Sequence, residues 1–211
     1  GRRGNLLEER EELTHLIRLN SPILMNEELK ALTKIDDSAF QSVVLDATMP
    51  VVAGAAGGAL VAPPTPPPAA PASELAKAVR RLCAEAERSV LVGAAILIIS
   101  DRKSGPQRAV IPALMAVGAV HHHLIRKGLR NRVSLIVESG EAREVHHFAT
   151  LLGFGASAIN PYLALDTARE AVQRGRVKDK TLNETDVVKR YIKAAEKGVL
   201  KVMSKMGIAA V

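Results

Sequence analysis

Between Ala94 and Ile99 the sequence is apolar at six consecutive positions, Ala94-Ala95-Ile96-Leu97-Ile98-Ile99, and the run is closed by Ser100-Asp101. A strand with one face in water alternates apolar and polar residues. A run without alternation belongs to a strand covered on both faces. The flanking sequence supplies the cover. From Glu74 to about Val92, Leu75, Ala76, Val79, Leu82, Cys83, Ala86 and Val90 recur on one helical stripe. After the strand, Pro112 to Lys127 reads as a helix stopped by Gly128, with Pro112 suited to its first turn. The rhythm then repeats. Val133–Val137 reads as a strand, Glu141–Leu152 as a helix, Ala156–Asn160 as a short strand and Tyr162–Gln173 as a helix. Asn183 caps a long amphipathic helix to about Met206. Buried strands alternating with amphipathic helices predict an α/β fold of parallel βα units with right-handed crossovers. The pattern fits a barrel segment and an open doubly wound sheet equally.

The chain before Glu74 is organised differently. Residues 1–50 read as short helices and a first strand. Leu13, Leu16, Ile17 and Leu19 stand at helical spacing up to the break at Asn20-Ser21-Pro22, Asn26 caps a second helix, and Ser42–Asp46 is a β-branched strand. Residues 51–73 form a Pro/Ala/Gly-rich loop or linker, with six prolines between Pro63 and Pro71. Proline lacks the N–H that helix and sheet require, so this insertion reads as exposed polyproline-like chain. Residues 74–175 are then the βα core, and 176–211 the long amphipathic helix.

Composition narrows the function. At 211 residues a core needs no disulfide staples, and the single cysteine, Cys83, suits a reducing compartment such as the cytoplasm. No apolar run approaches the roughly 18 residues of a membrane span. A net charge of +7 invites an acidic partner, but aromatics make up only 2% of the chain and tryptophan is missing. Stacking platforms for nucleic acid need more, so neither nucleic acid nor membrane is the expected partner. Gly1-Arg2-Arg3-Gly4 and Ile208-Ala209-Ala210-Val211 read as cut ends, giving the expectation of a piece of something larger.

Five of the six histidines fall in two clusters, His121-His122-His123 and His146-His147. Metal ligands on a helix stand at i and i+4, where they share a face, whereas consecutive residues point about 100° apart. His121 falls on the apolar stripe with Leu114, Val117, Leu124 and Ile125, as a core histidine with a hydrogen-bonded ring nitrogen. His122 stands at the edge of that stripe and His123 on the other side. His146 and His147 fall on the polar face of their helix, one turn from Arg143. Glu138-Ser139-Gly140-Glu141 follows a strand directly, at the end where parallel sheets bind ligands. The plainer reading makes Glu141 and Glu144 partners of the helix dipole. Ser100-Asp101-Arg102 ends the most buried strand and reads as a loop salt bridge or a polar ligand site. Gly153-Phe154-Gly155-Ala156-Ser157-Ala158 copies a dinucleotide fingerprint in letters only, because it leads from helix to strand. Cys83 reads as packing. A free-standing α/β enzyme would use Asp101, Glu138 and Glu141, with a metal as its cofactor.

Longer strings carry a resemblance. Ile111-Pro112-Ala113-Leu114-Met115-Ala116-Val117-Gly118-Ala119-Val120-His121-His122-His123-Leu124-Ile125-Arg126 resembles the central domain of the glutamate synthase large subunit. Val137-Glu138-Ser139-Gly140-Glu141-Ala142-Arg143-Glu144-Val145-His146-His147, Ala158-Ile159-Asn160-Pro161-Tyr162-Leu163-Ala164 and Lys201-Val202-Met203-Ser204-Lys205-Met206-Gly207-Ile208 are similar to it in the same order. The chain departs from the family at Ala209-Ala210, where the family continues Ser-Thr, and in the length of its Pro/Ala stretch. The resemblance implies the C-terminal part of a connector in an enzyme that makes two glutamates from glutamine and 2-oxoglutarate. In that family an amidotransferase domain releases ammonia, which crosses a tunnel to an FMN-bearing (β/α)8 barrel. Electrons arrive through an iron–sulfur cluster from NAD(P)H or ferredoxin. The implied partners are the two flanking domains, and an NAD(P)H-oxidising small subunit or ferredoxin. The implied compartment is the cytoplasm, or the plastid stroma in a photosynthetic eukaryote. No catalytic, cofactor-binding or metal residue carries over to this chain. His122, His123, Glu138, Glu141, Arg143, His146 and His147 are expected at an interface or along the tunnel wall.

Overall fold

The computed structural model describes residues 16–51 and 73–209, so the Pro/Ala/Gly-rich expectation for 52–72 lies outside the described residues. The order of elements is α1 (Asn26–Leu32), β1 (Ser42–Asp46), β2 (Thr48–Pro50), α2 (Glu74–Leu91), β3 (Ile96–Ser100), β4 (Arg108–Val110), α3 (Ala113–Arg126), β5 (Ser134–Glu138), α4 (Val145–Gly153), β6 (Ala158–Asn160), α5 (Tyr162–Gln173) and α6 (Glu184–Met206).

Four strands form one parallel sheet in the order β1-β3-β5-β6, which confirms the parallel α/β class. Each strand joins on the same side as the last. Right-handed crossovers in a single direction place their helices on one face. That face carries Leu97, Ile99, Leu135, Val137 and Ile159, packed with Leu82 and Ala86 of α2, Val117 and Leu124 of α3, Phe148 of α4, and Val188 and Ile192 of α6. Ile96, Ile98, Ile136 and Ala158 line the other face, against Leu24 and the α1 residues Leu29 and Leu32. The run in β3 is thus covered on both sides, with Leu97, Ile98 and Ile99 at most 1% exposed. Each such side chain contributes about 2 kcal/mol. The sheet is open. Ile159 exchanges backbone hydrogen bonds with Pro22 and Leu24, which lie along its β6 edge, and β1 forms the other edge.

Several expectations need correcting. Residues 16–20 are not helical, and the first fifteen lie outside the described residues. Asn26 is the first residue of α1 and not its cap. The backbone N–H of Met25 is satisfied instead by Glu28, at 2.7 Å. The helix expected from Glu141 starts at Val145, because 140–144 is held as a turn by side chains. Leu114 and Ile125 are exposed, so the buried stripe of α3 is Ala116, Val117, Val120 and Leu124. The antiparallel ribbon β2–β4 was not expected at all. Its strands are only three residues each, and arginine side chains tie it to β1 and α2. Arg108 donates to the Asp46 carboxylate and the Thr48 hydroxyl at 2.8 Å each, and Arg81 donates to the carbonyls of Asp46 and Thr48.

Candidate functional site

In-register pairing sets one polar residue at the carboxyl end of each parallel strand. Asp46, Ser100, Glu138 and Asn160 are successive Cα partners, so their side chains leave the same face. The next residues on β3 and β5, Asp101 and Ser139, face the other way. Two networks result, and both reach Tyr162. In the first, Ser100 Oγ and Arg102 Nε donate to the two oxygens of Glu138, and the Arg102 guanidinium lies 4.2 Å over the Tyr162 ring. In the second, Asp101 is 3% exposed. It accepts from Ser139 Oγ at 2.6 Å and from the Gly140 N–H at 3.0 Å, and it is hydrogen-bonded to the Tyr162 hydroxyl. Burial and the Asp101 carboxylate push the Tyr162 phenol up to about 12. Both expected strand-end acids are therefore engaged by the fold itself.

Glu141, grouped with them by sequence, stands elsewhere. Its carboxylate accepts from the Ala113 N–H at 2.6 Å and caps α3 rather than the helix that follows it. His147 holds the turn between them, its Nδ1 accepting from the backbone N–H groups of Arg143 and Glu144 at the start of α4. Arg143 Nε donates to the Gly140 carbonyl, and the Tyr191 hydroxyl of α6 donates to the Arg143 carbonyl at 2.7 Å. The Arg143, His146 and His147 side chains are exposed.

The triple histidine does not converge. His121 is half-buried, and its Nδ1 accepts from Arg130 Nε at 2.9 Å. Burial, reinforced by the Arg130 and His122 charges, holds its imidazole below the ordinary histidine value. His122 is exposed and meets the His121 ring edge-on. His123 Nε2 lies 2.7 Å from Glu87 on α2, and Lys127 pairs with the same carboxylate, so the two helices are pinned together. Among the described residues no group of three or more His, Cys, Asp or Glu could hold a metal ion.

Sequence reasoning missed Tyr162, Arg130 and the partners of Asp46. Pro161 marks Tyr162 only as a helix start. Arg130 gave no periodic signal, yet it donates to His121, to the Val133 carbonyl and to the Gly155 carbonyl. Asp46 was placed correctly as a strand end, but its partner Arg108 lies 62 positions away. Burial would raise the Asp46 carboxyl, and the Thr48 hydrogen bonds with the Arg108 and Lys103 charges outweigh this and hold it low.

The resident groups implied by the resemblance do not fit this chain. An iron–sulfur cluster needs several thiolates, whereas Cys83 is single, buried in α2, and pushed up by that burial. The ends of β3 and β5, where a parallel sheet receives a flavin, are filled by the Glu138 and Asp101 networks.

Comparison with known proteins agrees with the resemblance. The family model for the glutamate synthase central domain matches residues 1–211. The glutamate synthase [NADPH] large chain of Bacillus subtilis is 40% identical over 211 residues, covering 100% of this chain and 12% of that protein. The chloroplastic ferredoxin-dependent glutamate synthase of Oryza sativa is 36% identical over 220 residues, covering 99% of this chain and 12% of that protein. The chain thus spans about an eighth of the length of the relatives it matches. Among solved structures, a mutant flavocytochrome b2 with benzoylformate is similar over 60% of this chain and 29% of that one, with a TM-score of 0.48 and 14% identity. With a family model across its whole length and relatives above a third identical to it, this chain belongs to the glutamate synthase central-domain family.

Proposed function

We propose that this chain serves as the connecting domain of a glutamate synthase large chain. The complete enzyme converts glutamine, 2-oxoglutarate and reductant into two glutamates, and the task of this part is architectural. It braces a glutaminase domain against a flavin barrel and walls part of the ammonia path between them. FMN and the iron–sulfur cluster belong to other parts of the large chain. Electrons come from an NAD(P)H-oxidising small subunit or from ferredoxin. The compartment is the cytoplasm, or the plastid stroma in a photosynthetic eukaryote. Residues 1–50, 51–73, 74–175 and 176–211 are its N-terminal part, loop insertion, βα core and exit helix.

One observation carries this reading. Asp101 and Glu138, the acids a free-standing enzyme would use, spend their oxygens on Ser139, Gly140, Tyr162, Ser100 and Arg102. A general acid or base must instead reach a substrate proton. His122, Arg143, His146 and His147 reach the surface, as partner-facing groups do. His123, Glu138 and Glu141 brace the surfaces that carry them. Elemental analysis and a visible absorption scan of the purified chain test the architectural reading against the enzymatic one. Sub-stoichiometric metal and no flavin band are expected. One metal ion per chain, or bound flavin, would overturn it.

A further inference from the structure

The exposed side of α6 carries an arrangement that the described residues do not use. Lys189, Lys193, Lys197, Lys201 and Lys205 recur every four residues, all exposed, and none makes an ion pair with any described residue. Other helices pair part of their cations, while Lys30, Arg80, Arg88 and Arg126 stand singly and without an ion pair to any described residue, so what sets α6 apart is the unbroken row. Lys77 pairs with Glu74, Arg81 with Glu85, Lys127 with Glu87, Arg169 with Glu27 and Asp166, and Arg174 with Glu170. Residues four apart on a helix are neighbours, so each step along the row sets two like charges side by side and weakens the helix. Only Lys205, in the last turn, gains from the helix dipole. A row that costs stability in isolation fits a surface neutralised from outside.

The nature of the neutralising surface follows from the rest of the helix. Val188, Ile192, Ala195 and Val199 are already in the core, so α6 has no free apolar face to lay into a bilayer. Within the row Leu200 is 62% exposed, whereas Met206 continues the stripe of Val199 on the opposite side of the helix. An apolar side chain among charges is the composition of a protein–protein contact. Most of the surface available to this domain is also protein, since relatives are about eight times its length. We propose that the lysine row of α6, with Leu200 among the lysines, docks on an acidic protein surface carried by another part of the same large chain. This rests on the connector reading.

The test uses the complete large chain that contains this domain. Treatment with a zero-length carbodiimide, which joins lysine amines to carboxyls in direct contact, is followed by peptide mapping. Lys193, Lys197 or Lys201 should be joined to Asp or Glu outside these 211 residues. The yield should drop severalfold between about 0.1 M and about 1 M salt, as the screening length shrinks from roughly 10 Å to roughly 3 Å. The triple variant Lys193→Gln, Lys197→Gln, Lys201→Gln should lose the crosslinks and gain amide exchange in the segment they identify. Absence of crosslinks from all three lysines overturns the proposal. So does binding of the complete chain to phosphatidylglycerol vesicles that the triple variant abolishes, with no crosslink seen. Failure of the connector reading is separate. Crosslinks can persist in an enzyme whose two half-reactions do not depend on this domain, and that outcome would leave the contact standing while removing its purpose.

Discussion

Asp101 shows what becomes of an acid at the end of a buried parallel strand. Its surroundings supply donors from two directions, Ser139 Oγ with the Gly140 N–H, and the Tyr162 hydroxyl. Asp101→Ala leaves the buried Ser139 hydroxyl and Gly140 N–H without this acceptor and should destabilise the chain by about 3 kcal/mol, read from denaturant unfolding. A loss below about 0.5 kcal/mol would mean that water replaces the carboxylate at little cost. His121 gives a pH prediction of definite sign. Folding disfavours its charged form, because burial and Arg130 hold the imidazole low and Nδ1 must accept from Arg130. The unfolded chain therefore binds more protons below the ordinary histidine value of about 6.5, and stability falls as pH drops through that region. Thermal unfolding should show this fall between about pH 7 and 5.5 in the wild type, with a flatter profile in His121→Gln. At this scale the sequence was informative about residue type and silent about partners. Helical spacing placed His146 and His147 correctly on the polar face and gave His121 a hydrogen-bonded ring. Nothing local pointed to Arg130 as its partner, or to Glu141 as the cap of the preceding helix.

Among the elements, α4 and α6 approach closely. A Cβ on Gly198 would stand 2.2 Å from Val145 Cγ2 and 2.9 Å from Cγ1, so the two helices meet where one has no side chain. Gly198→Ala gains helix propensity and loses this contact. Overpacking should win, with a net loss of about 1–3 kcal/mol. Val145→Ala in the same chain should restore most of it, and this coupling between neighbours is what a double-mutant cycle measures. Simple addition of the two single effects would show that the helices shift apart freely. The legible elements were those with a period. β3, α5 and α6 lie where alternation, or its absence, and the helical stripe put them. The illegible ones are held by distant charges. The β2–β4 ribbon depends on Arg81 and Arg108 reaching Asp46 and Thr48, and the late start of α4 depends on His147 folding back on Arg143 and Glu144.

For the whole molecule, the direction of strand addition matters more than strand count. Because β1, β3, β5 and β6 add in chain order, helices α2, α3 and α4 share a face, and the carboxyl ends present a single row from Asp46 to Asn160. In an enzyme that row would open to substrate. Here Asp46, Ser100 and Glu138 are taken up by Thr48, Arg108 and Arg102, and Asn160 donates to the Leu24 carbonyl while its Oδ1 is buried without a partner among the described residues. The parallel class was legible from the buried β3 run and its flanking stripes. The choice between a barrel and an open sheet was not, since it depends on which edges pair and no local period encodes that. The proposed connector role has this domain couple two reactions carried out by other parts of the large chain. The direct measurement is made in the complete large chain, comparing glutamine hydrolysis with glutamate formation in the Arg143→Ala, His147→Ala double variant. The account predicts that hydrolysis continues while glutamate formation falls, so that ammonia escapes to solvent. Unchanged stoichiometry between the two, in a variant shown to be folded, would contradict it.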